Sequence, residues 1–185
     1  VNDNLDLICL TWNIEGFSRN FSDLKHIIEE TNPSLIFISE PWLFQHDLVT
    51  IKDLLSDYKC ILNSDDKFDE DLPLKVTRAH GGVLTLFKNH LEPYIKEIKS
   101  SSSRTLPISL NIPGYKPSVH FNIYLPTSGR ESEFIESLSK LNSMIEEIHE
   151  NNADHLIYIR IDTNASFYPR KSNTKDGLFQ HFIDN

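Results

Sequence analysis

Apolar and polar positions along the chain fall into blocks that predict both strands and helices. Short, nearly continuous apolar runs predict buried strands, and they cover residues 5–12, 35–38, 58–62, 83–87, 119–125 and 156–161. The first of these runs has the pattern of a strand that is buried on both faces. Two further runs, residues 91–98 and 106–112, also predict strands, and the acidic, polar residues 64–75 predict an exposed loop.

Segments with helical spacing of apolar residues lie between several of these strands, and they cover residues 21–30, 48–55 and 177–183. In the strongest helical pattern, Ser128 and Glu131 have the spacing of a capping box. The apolar stripe behind them consists of Phe134, Ile135, Leu138, Leu141, Ile145 and Ile148. Strands alternate with helices in some parts of the chain and follow one another directly in others. This order is typical of a layered α/β protein with mixed sheets rather than of a purely parallel one.

Length and composition are those of one globular domain. A chain of 185 residues, of which 39% are hydrophobic and 24% charged, is long enough to bury a sizeable core, so we assign residues 1–185 to a single domain. No run approaches the roughly 20 apolar residues that cross a bilayer, and the first residues lack the features of a secretory signal. Cys9 and Cys60 lie in apolar runs, which predicts buried free thiols in a reducing, intracellular compartment.

The charge balance narrows the possible functions. A formal net charge of −9 argues against a domain that binds nucleic acid through a broad basic surface. It leaves open a nuclease that holds nucleic acid locally and uses carboxylates to bind a metal ion. With only two cysteines, a cysteine-based zinc site is not expected.

Several predicted strands end in polar residues that an ordinary loop does not require. Asn13 follows the first strand and Glu40 the second. Tyr124 lies near the end of a later strand, and Asp162 and Asn164 follow the last one. Asp162 and Asn164, two residues apart, would point to the same side if the strand continued through them. Because ligand sites in layered α/β proteins gather where strands end, these residues predict a shared pocket.

The residue types in this pocket suit hydrolysis of a phosphate ester. Glu40 could hold Mg²⁺, which takes few protein ligands and would neutralise the charge that builds on phosphorus. Asp162 could orient or deprotonate the attacking water. Asn13, Asn164 and Tyr124 could donate hydrogen bonds to phosphate oxygens.

Each residue taken alone also has a purely structural interpretation. Asn13 and Asn164 could serve turns, and Glu40 could be an ordinary loop carboxylate. Tyr124 could be a half-buried strand aromatic, and Asp162 could cap the loop that follows it. The ordered set, rather than any one residue, therefore carries the functional hypothesis.

In this order the segments resemble the endonuclease/exonuclease/phosphatase superfamily, from residue 7 to residue 183. The motifs are Asn-x-x-Gly at Asn13 and Gly16, the metal-binding Glu at Glu40, Gly-Gly at Gly81 and Gly82, Tyr-x-Pro at Tyr124 and Pro126, and Asp-x-Asn at Asp162 and Asn164. The resemblance implies a four-layered α/β sandwich with two central mixed β-sheets, whose last strands are missing from these residues. It also implies hydrolysis with Mg²⁺, or Mn²⁺ in its place, bound by Glu40 and Asn13.

Within the superfamily, the chain is similar to the endonuclease domain of non-LTR retrotransposons. Residues 39–43 read Ser-Glu-Pro-Trp-Leu, and residues 162–166 read Asp-Thr-Asn-Ala-Ser, followed by Asn173 and Gly177. The resemblance implies a nuclear enzyme that nicks target DNA with Mg²⁺ and leaves 3′-hydroxyl and 5′-phosphate ends. Its expected partner is a reverse transcriptase domain in the same polyprotein, and no membrane is expected to take part.

The chain departs from the family pattern in two places. The family usually has Gly immediately before the Asp of Asp-x-Asn, whereas this chain has Ile161, whose branched side chain could shift Asp162 or crowd the substrate. The family's final Ser-Asp-His segment should lie beyond Asn185, and none of the eight histidines has its context. His80 and His120 are expected in a loop and in a strand. Because the family's Asp–His pair contacts the scissile phosphate, we expect this fragment alone to be nearly inactive.

Two other functions stay open from the sequence. One is a phosphatase or phosphodiesterase of the same fold that acts on RNA tails, inositol phosphates or sphingomyelin. No substrate-specific loop of those enzymes is recognisable, and the residues around Trp42 point away from them. The other is a degenerate copy that folds without cleaving and acts at most as a binding module.

Overall fold

Two four-stranded sheets form the centre of the protein in the computed structural model, which describes residues 7–67, 79–126, 130–151, 154–165 and 174–184. The first sheet has the order β1-β2-β4-β3, built from β1 (Cys9–Asn13), β2 (Leu35–Ser39), β3 (Tyr58–Asn63) and β4 (Val83–Lys88). The second has the order β5-β6-β7-β8, built from β5 (Ile95–Glu97), β6 (Thr105–Leu110), β7 (Ser118–Tyr124) and β8 (Leu156–Asp162). Each sheet combines one parallel pair, β1–β2 or β7–β8, with antiparallel pairs, so both are mixed.

Helices cover the outer faces of both sheets. Within the described residues they are α1 (Phe17–Thr31), α2 (Leu48–Leu54), α3 (Glu131–Asn151) and α4 (Thr174–Asp184). Leu24 of α1 and Ile51 of α2 are buried in one cluster with Ile38 of the first sheet. Phe134 of α3 and Phe179 of α4 are buried in another cluster with residues of β7. Because successive side chains of a strand point to opposite faces of the sheet, one set of strand residues faces these helices.

The other half of the strand residues forms the layer between the sheets. Leu35 and Phe37 of β2 pack there with Phe87 of β4 against Ile108 and Leu110 of β6. The protein is therefore a four-layered α/β sandwich with two central mixed sheets, as the resemblance implies.

Asn122 is a buried polar side chain that helps to tie the two sheets together. The amide of Asn122, on β7, donates to the backbone carbonyls of Ile38 (3.2 Å) and Leu84 (3.0 Å) in the opposite sheet. Asn122 is 2% exposed, so water does not compete for these bonds. This link holds the end of β2 against β7, and both strands lead directly into residues of the predicted pocket.

The two parallel pairs end close to that pocket. Asn13 at the end of β1 is the register partner of Ser39 at the end of β2. Tyr124 at the end of β7 is the register partner of Asp162 at the end of β8. Each sheet therefore delivers two neighbouring strand ends to one site.

Two strand predictions are wrong in part. Residues 91–98 do not form one strand, because a 3₁₀ helix occupies Asn89–Tyr94 and only the short β5 follows. This helix contains Pro93, which lacks the N–H group that a strand ladder needs. The first strand is not buried on both faces, because β1 lies at the edge of its sheet. Cys9 is accordingly exposed rather than buried, and it lines a cavity of about 510 Å³ between the edges of β1 and β8.

Some predicted features lie outside the described residues, including Ser128 of the capping box, Ser166, Asn173 and residues 68–75 of the acidic loop. The helix predicted after Ser128 is confirmed from Glu131 onward, although Ile135 of its apolar stripe is 49% exposed. Within the described part of the chain, every helix is too short or too polar to cross a membrane.

Candidate active site

The turn after β2 carries Glu40 away from the sheet. Glu40 and Trp42 have φ angles of +52° and +53°, in the left-handed region that residues other than glycine rarely adopt. Two glycine loops hold this turn from opposite sides. The Gly16 N–H donates to the Glu40 carbonyl (2.9 Å), and the Glu40 N–H donates to the Gly82 carbonyl (3.1 Å). These backbone contacts stabilise the strained turn and fix the base of the Glu40 side chain.

Asn13 connects the two acidic side chains of the site. Its Nδ2 donates to Glu40 Oε1 over 2.9 Å and to Asp162 Oδ2 over 2.6 Å. Its Oδ1 accepts a hydrogen bond from the Glu15 N–H over 3.2 Å. Ionised carboxylates only accept hydrogen bonds, so the amide nitrogen and not the amide oxygen faces both of them. The structure thus brings Asn13, Glu40 and Asp162 together in one place.

The condition attached to the prediction that Asp162 and Asn164 share one side is not met, because the strand does not continue to Asn164. The strand ends at Asp162, and Asn164 has a φ of +47°. The Asn164 side chain donates to the Leu125 carbonyl (2.7 Å), and its backbone N–H donates to Asp162 Oδ1 (3.3 Å). Asn164 therefore ties the segment after β7 to the turn after β8 and orients Asp162, whose other oxygen is bound by Asn13.

Tyr124 lies beside Glu40 and is 6% exposed. Burial, together with the charge of Glu40 and a hydrogen bond to it, raises the pKa of the Tyr124 phenol to about 12. The phenol therefore stays protonated near neutral pH and acts as a hydrogen-bond donor. A Cβ at position 81 would be in ordinary contact with the ring, 3.6 Å from Tyr124 Cε1, so glycine is required there by its φ of +63° and not by lack of space.

Arg104 flanks the site, although no motif in the sequence marks it. Its guanidinium lies 5.3 Å from the centroid of the Tyr124 ring, and its Nη2 lies 3.9 Å from Glu133 Oε2. The Arg104 side chain is 24% exposed, so its charge is within reach of solvent. The only sequence signal is its position directly before β6, which does not distinguish it from other loop arginines.

Ile161, the departure from the family motif, does not face the acidic residues. It packs on the helix-covered side of the second sheet, in the cluster with Ile123 and Phe134. Side chains alternate along a strand, so Ile161 and Asp162 lie on opposite faces of β8. The branched side chain fills the core there, and the contact between Asp162 and Asn13 is kept. His80 and His120 lie in a loop and in β7, as predicted.

The donor set fits a hard divalent cation of the kind that the family uses. Glu40 and Asp162 each place a carboxylate oxygen within hydrogen-bonding distance of one amide nitrogen. The described residues contain no group of three or more His, Cys, Asp or Glu side chains that could hold a metal. Mg²⁺ is bound by one or two carboxylates and keeps several waters, so this sparse set suits it. For Asn13 to ligate a cation as predicted, its amide oxygen must leave the Glu15 N–H and turn toward Glu40.

Comparison with known proteins gives one family and several similar folds. The sequence matches the endonuclease/exonuclease/phosphatase family over residues 10–174. No curated protein matches the sequence significantly.

Three solved structures have the same fold at low sequence identity. The AP endonuclease LMAP from Leishmania major has a TM-score of 0.69 at 17% identity, over 100% of this chain and 69% of its own. The 3′ phosphatase NExo from Neisseria, bound to a product DNA hairpin, has a TM-score of 0.68 at 12% identity, over 97% of this chain and 71% of its own. The endonuclease domain of TRAS1, a telomere-specific non-LTR retrotransposon, has a TM-score of 0.63 at 8% identity, over 97% of this chain and 70% of its own. At these identities the likeness establishes the fold alone.

Proposed function

The chain belongs to the endonuclease/exonuclease/phosphatase family, and from this premise we propose that it nicks target DNA by metal-dependent hydrolysis of a phosphodiester bond. The observation that carries the proposal is the bridge from the Asn13 amide to both Glu40 and Asp162. It concentrates two carboxylates where a neutral phenol and an arginine also lie. Such a combination suits an anionic substrate whose charge a cation must offset.

Each side chain has a distinct role in this proposal. Glu40 would hold Mg²⁺, and Asn13 would be a second ligand through its amide oxygen after the amide turns and gives up its bonds to Glu40 and Asp162. The bound cation lowers the energy of the charge that develops on the phosphate. Asp162, held by the backbone N–H of Asn164, orients the attacking water and accepts its proton. Tyr124, protonated throughout the physiological range, transfers its single O–H hydrogen bond from Glu40 to a phosphate oxygen when the substrate binds.

Two further side chains contact the substrate in this proposal. One N–H of the Asn164 amide is engaged by the Leu125 carbonyl, and its second N–H donates to the phosphate, since a carboxamide has two donors. Arg104, partly exposed beside Tyr124, provides positive charge for the DNA backbone in a protein whose net charge is −9. In this proposal a local positive charge, rather than a broad basic surface, binds the DNA backbone.

DNA as the substrate and a retrotransposon as the source rest on two kinds of support. The Ser-Glu-Pro-Trp-Leu segment at residues 39–43 resembles that of non-LTR retrotransposon endonucleases. The fold is shared with the TRAS1 endonuclease domain and with a 3′ phosphatase bound to a DNA hairpin. In this proposal the enzyme works in the nucleus beside a reverse transcriptase domain of the same polyprotein, and its nick supplies the 3′-hydroxyl end.

Nicking of supercoiled plasmid tests the proposal. The full-length protein should convert supercoiled to open-circular DNA with Mg²⁺, with Mn²⁺ as a substitute, and should stop when EDTA is added. Glu40→Gln should abolish the reaction, whereas Asp53→Asn, which changes an exposed carboxylate on α2, should not alter it. DNA ligase should reseal the nicks, because it requires adjacent 3′-hydroxyl and 5′-phosphate ends.

The same proteins separate the alternatives. Release of phosphate from phosphoinositides without plasmid nicking would assign the fold to the phosphatase group instead. A protein that binds no Mn²⁺ and cleaves neither substrate, and in which Glu40→Gln changes nothing, would be the degenerate copy. A 185-residue chain should nick at least roughly 100-fold more slowly than the full-length protein if an Asp–His pair outside these residues stabilises the transition state. Equal rates would contradict that expectation.

A further inference from the structure

We infer that Trp42 is a positioning residue for the cation site, because its indole N–H holds the carboxylate of Glu40 in place. The inference rests on the proposed role of Glu40 as the metal-binding residue. Trp42 Nε1 lies 3.3 Å from Glu40 Oε2, while Asn13 Nδ2 lies 2.9 Å from Oε1 of the same carboxylate. The two oxygens are thus held by donors from two different elements, which fixes both the position and the plane of the carboxylate.

The donors around Glu40 share a property that matters for binding a cation. Among the described residues they are Asn13, Trp42 and Tyr124, and all three are neutral. A lysine or arginine in their place would orient the carboxylate but cancel part of its charge. Neutral donors orient it and leave its full negative charge for the metal. A glutamate side chain that is ordered in advance also loses less conformational entropy when the cation binds.

The surrounding structure is shaped to seat the indole. A Cβ at position 16 would lie only 2.7 Å from Trp42 Cε3, so the residue there must be glycine for the ring to occupy its site. The backbone N–H of Trp42 donates to the Gly81 carbonyl (3.3 Å) and helps to hold the left-handed turn. The ring of His80 meets the indole edge-on, with centroids 6.2 Å apart.

Gly16 and Gly81 belong to different glycine motifs, and both help to position Trp42. Gly16 follows β1 and Gly81 precedes β4, yet both contact the same tryptophan. The first makes space for the indole ring, and the second accepts the hydrogen bond from its backbone. Both contacts aim the indole N–H at Glu40.

Cation affinity of the full-length protein tests this role. Mn²⁺ binding measured by calorimetry should be roughly tenfold weaker in Trp42→Phe, the size expected for the loss of one hydrogen bond to a charged group. The melting temperature without metal should change little, since the phenyl ring keeps most of the packing. Trp12→Phe makes the same exchange at the second of the two tryptophans and should leave Mn²⁺ affinity unchanged.

Sensitised Tb³⁺ luminescence provides a second measurement that needs no substitution at Trp42. In the 185-residue chain with Trp12→Phe, tryptophan-selective excitation reaches Trp42 and should produce Tb³⁺ emission that Mg²⁺ displaces, and adding Glu40→Gln should remove the emission. Unchanged Mn²⁺ affinity in Trp42→Phe would overturn the positioning role and leave the proposed function intact. A Glu40-dependent Mn²⁺ site without Tb³⁺ emission in Trp12→Phe would likewise overturn it. Absence of any Glu40-dependent cation binding would overturn both.

Discussion

The side-chain amide of Asn13 donates to the carboxylate of Asp162 over 2.6 Å, although the two residues are 149 positions apart along the chain. Asn13 ends the first strand of one sheet, and Asp162 ends the last described strand of the other. The site therefore exists only when the two sheets are packed together. The site is intact only if the tertiary structure is intact.

Removal of the Asn13 amide should separate loss of activity from loss of folding. In Asn13→Ala, Glu40 and Asp162 lose their shared donor and two like charges face each other unbridged. We expect plasmid nicking by the full-length protein to fall about 100-fold, comparable with the loss of one transition-state donor. Asn142→Ala removes an exposed amide that bonds Glu146 on α3 and should leave the rate unchanged. A similar rate loss in both variants would contradict a special role for Asn13.

The raised pKa of Tyr124 predicts how the nicking rate depends on pH. A phenol with a pKa of about 12 remains a donor at every pH below that value, so Tyr124 should contribute no alkaline limb between pH 7 and pH 10. Tyr124→Phe should lower the rate roughly 100-fold without changing the shape of the profile. Tyr94→Phe, at a tyrosine that is 37% exposed, serves as the matched control. An alkaline limb that disappears in Tyr124→Phe would show that the phenol ionises in this range.

His120 should make the folded protein less stable in acid. Burial, reinforced by the positive charge of Arg160, lowers the pKa of His120 from 6.5 to about 4. Its Nδ1 and Nε2 lie 2.9 Å from Arg160 and Ser118 respectively. The unfolded chain then takes up a proton at a higher pH than the folded protein does. The stabilisation is therefore present above pH 6.5 and is lost as the pH falls toward 4.

The size of this effect can be measured by urea unfolding at a series of pH values. The difference between the two pKa values corresponds to roughly 3 kcal/mol of unfolding free energy. His120→Gln should flatten the dependence between pH 6.5 and pH 4, at some cost in stability at neutral pH. His90→Gln, which changes an exposed histidine, should retain the full slope. Identical slopes in His120→Gln and the unmutated protein would show that His120 titrates normally.

Asn122 should be important for stability rather than for chemistry. Replacing it with Ala breaks two bonds from its amide to backbone carbonyls across the sheets and leaves a small cavity. We expect a loss of about 2 to 3 kcal/mol of unfolding free energy in urea denaturation. Asn111→Ala, at an exposed position just after β6, should cost far less. Equal losses would mean that the link between the sheets contributes little.

Local patterns in the sequence predicted most of the secondary structure. Apolar runs and helical stripes predicted most strands and helices correctly, because each kind of element has its own spacing of buried residues within a short stretch of chain. The prediction at residues 91–98 was wrong because Pro93 favours the 3₁₀ turn over a strand, and apolarity alone does not separate the two. The exposure of Cys9 was missed because an edge strand and a central strand have similar sequences.

The sequence by itself determined the fold class, the family and the identity of the polar residues at the strand ends, because these depend on composition and on short motifs read in order. The tertiary structure alone decided that Asn13 bridges Glu40 and Asp162, that Asn164 turns its side chain to Leu125, and that Ile161 faces the core. It alone identified Arg104 and the contact between Trp42 and Glu40. The physical reason is that each of these facts depends on strand register and on the packing of two sheets. Both bring together segments that are far apart in the chain and have no shared local pattern.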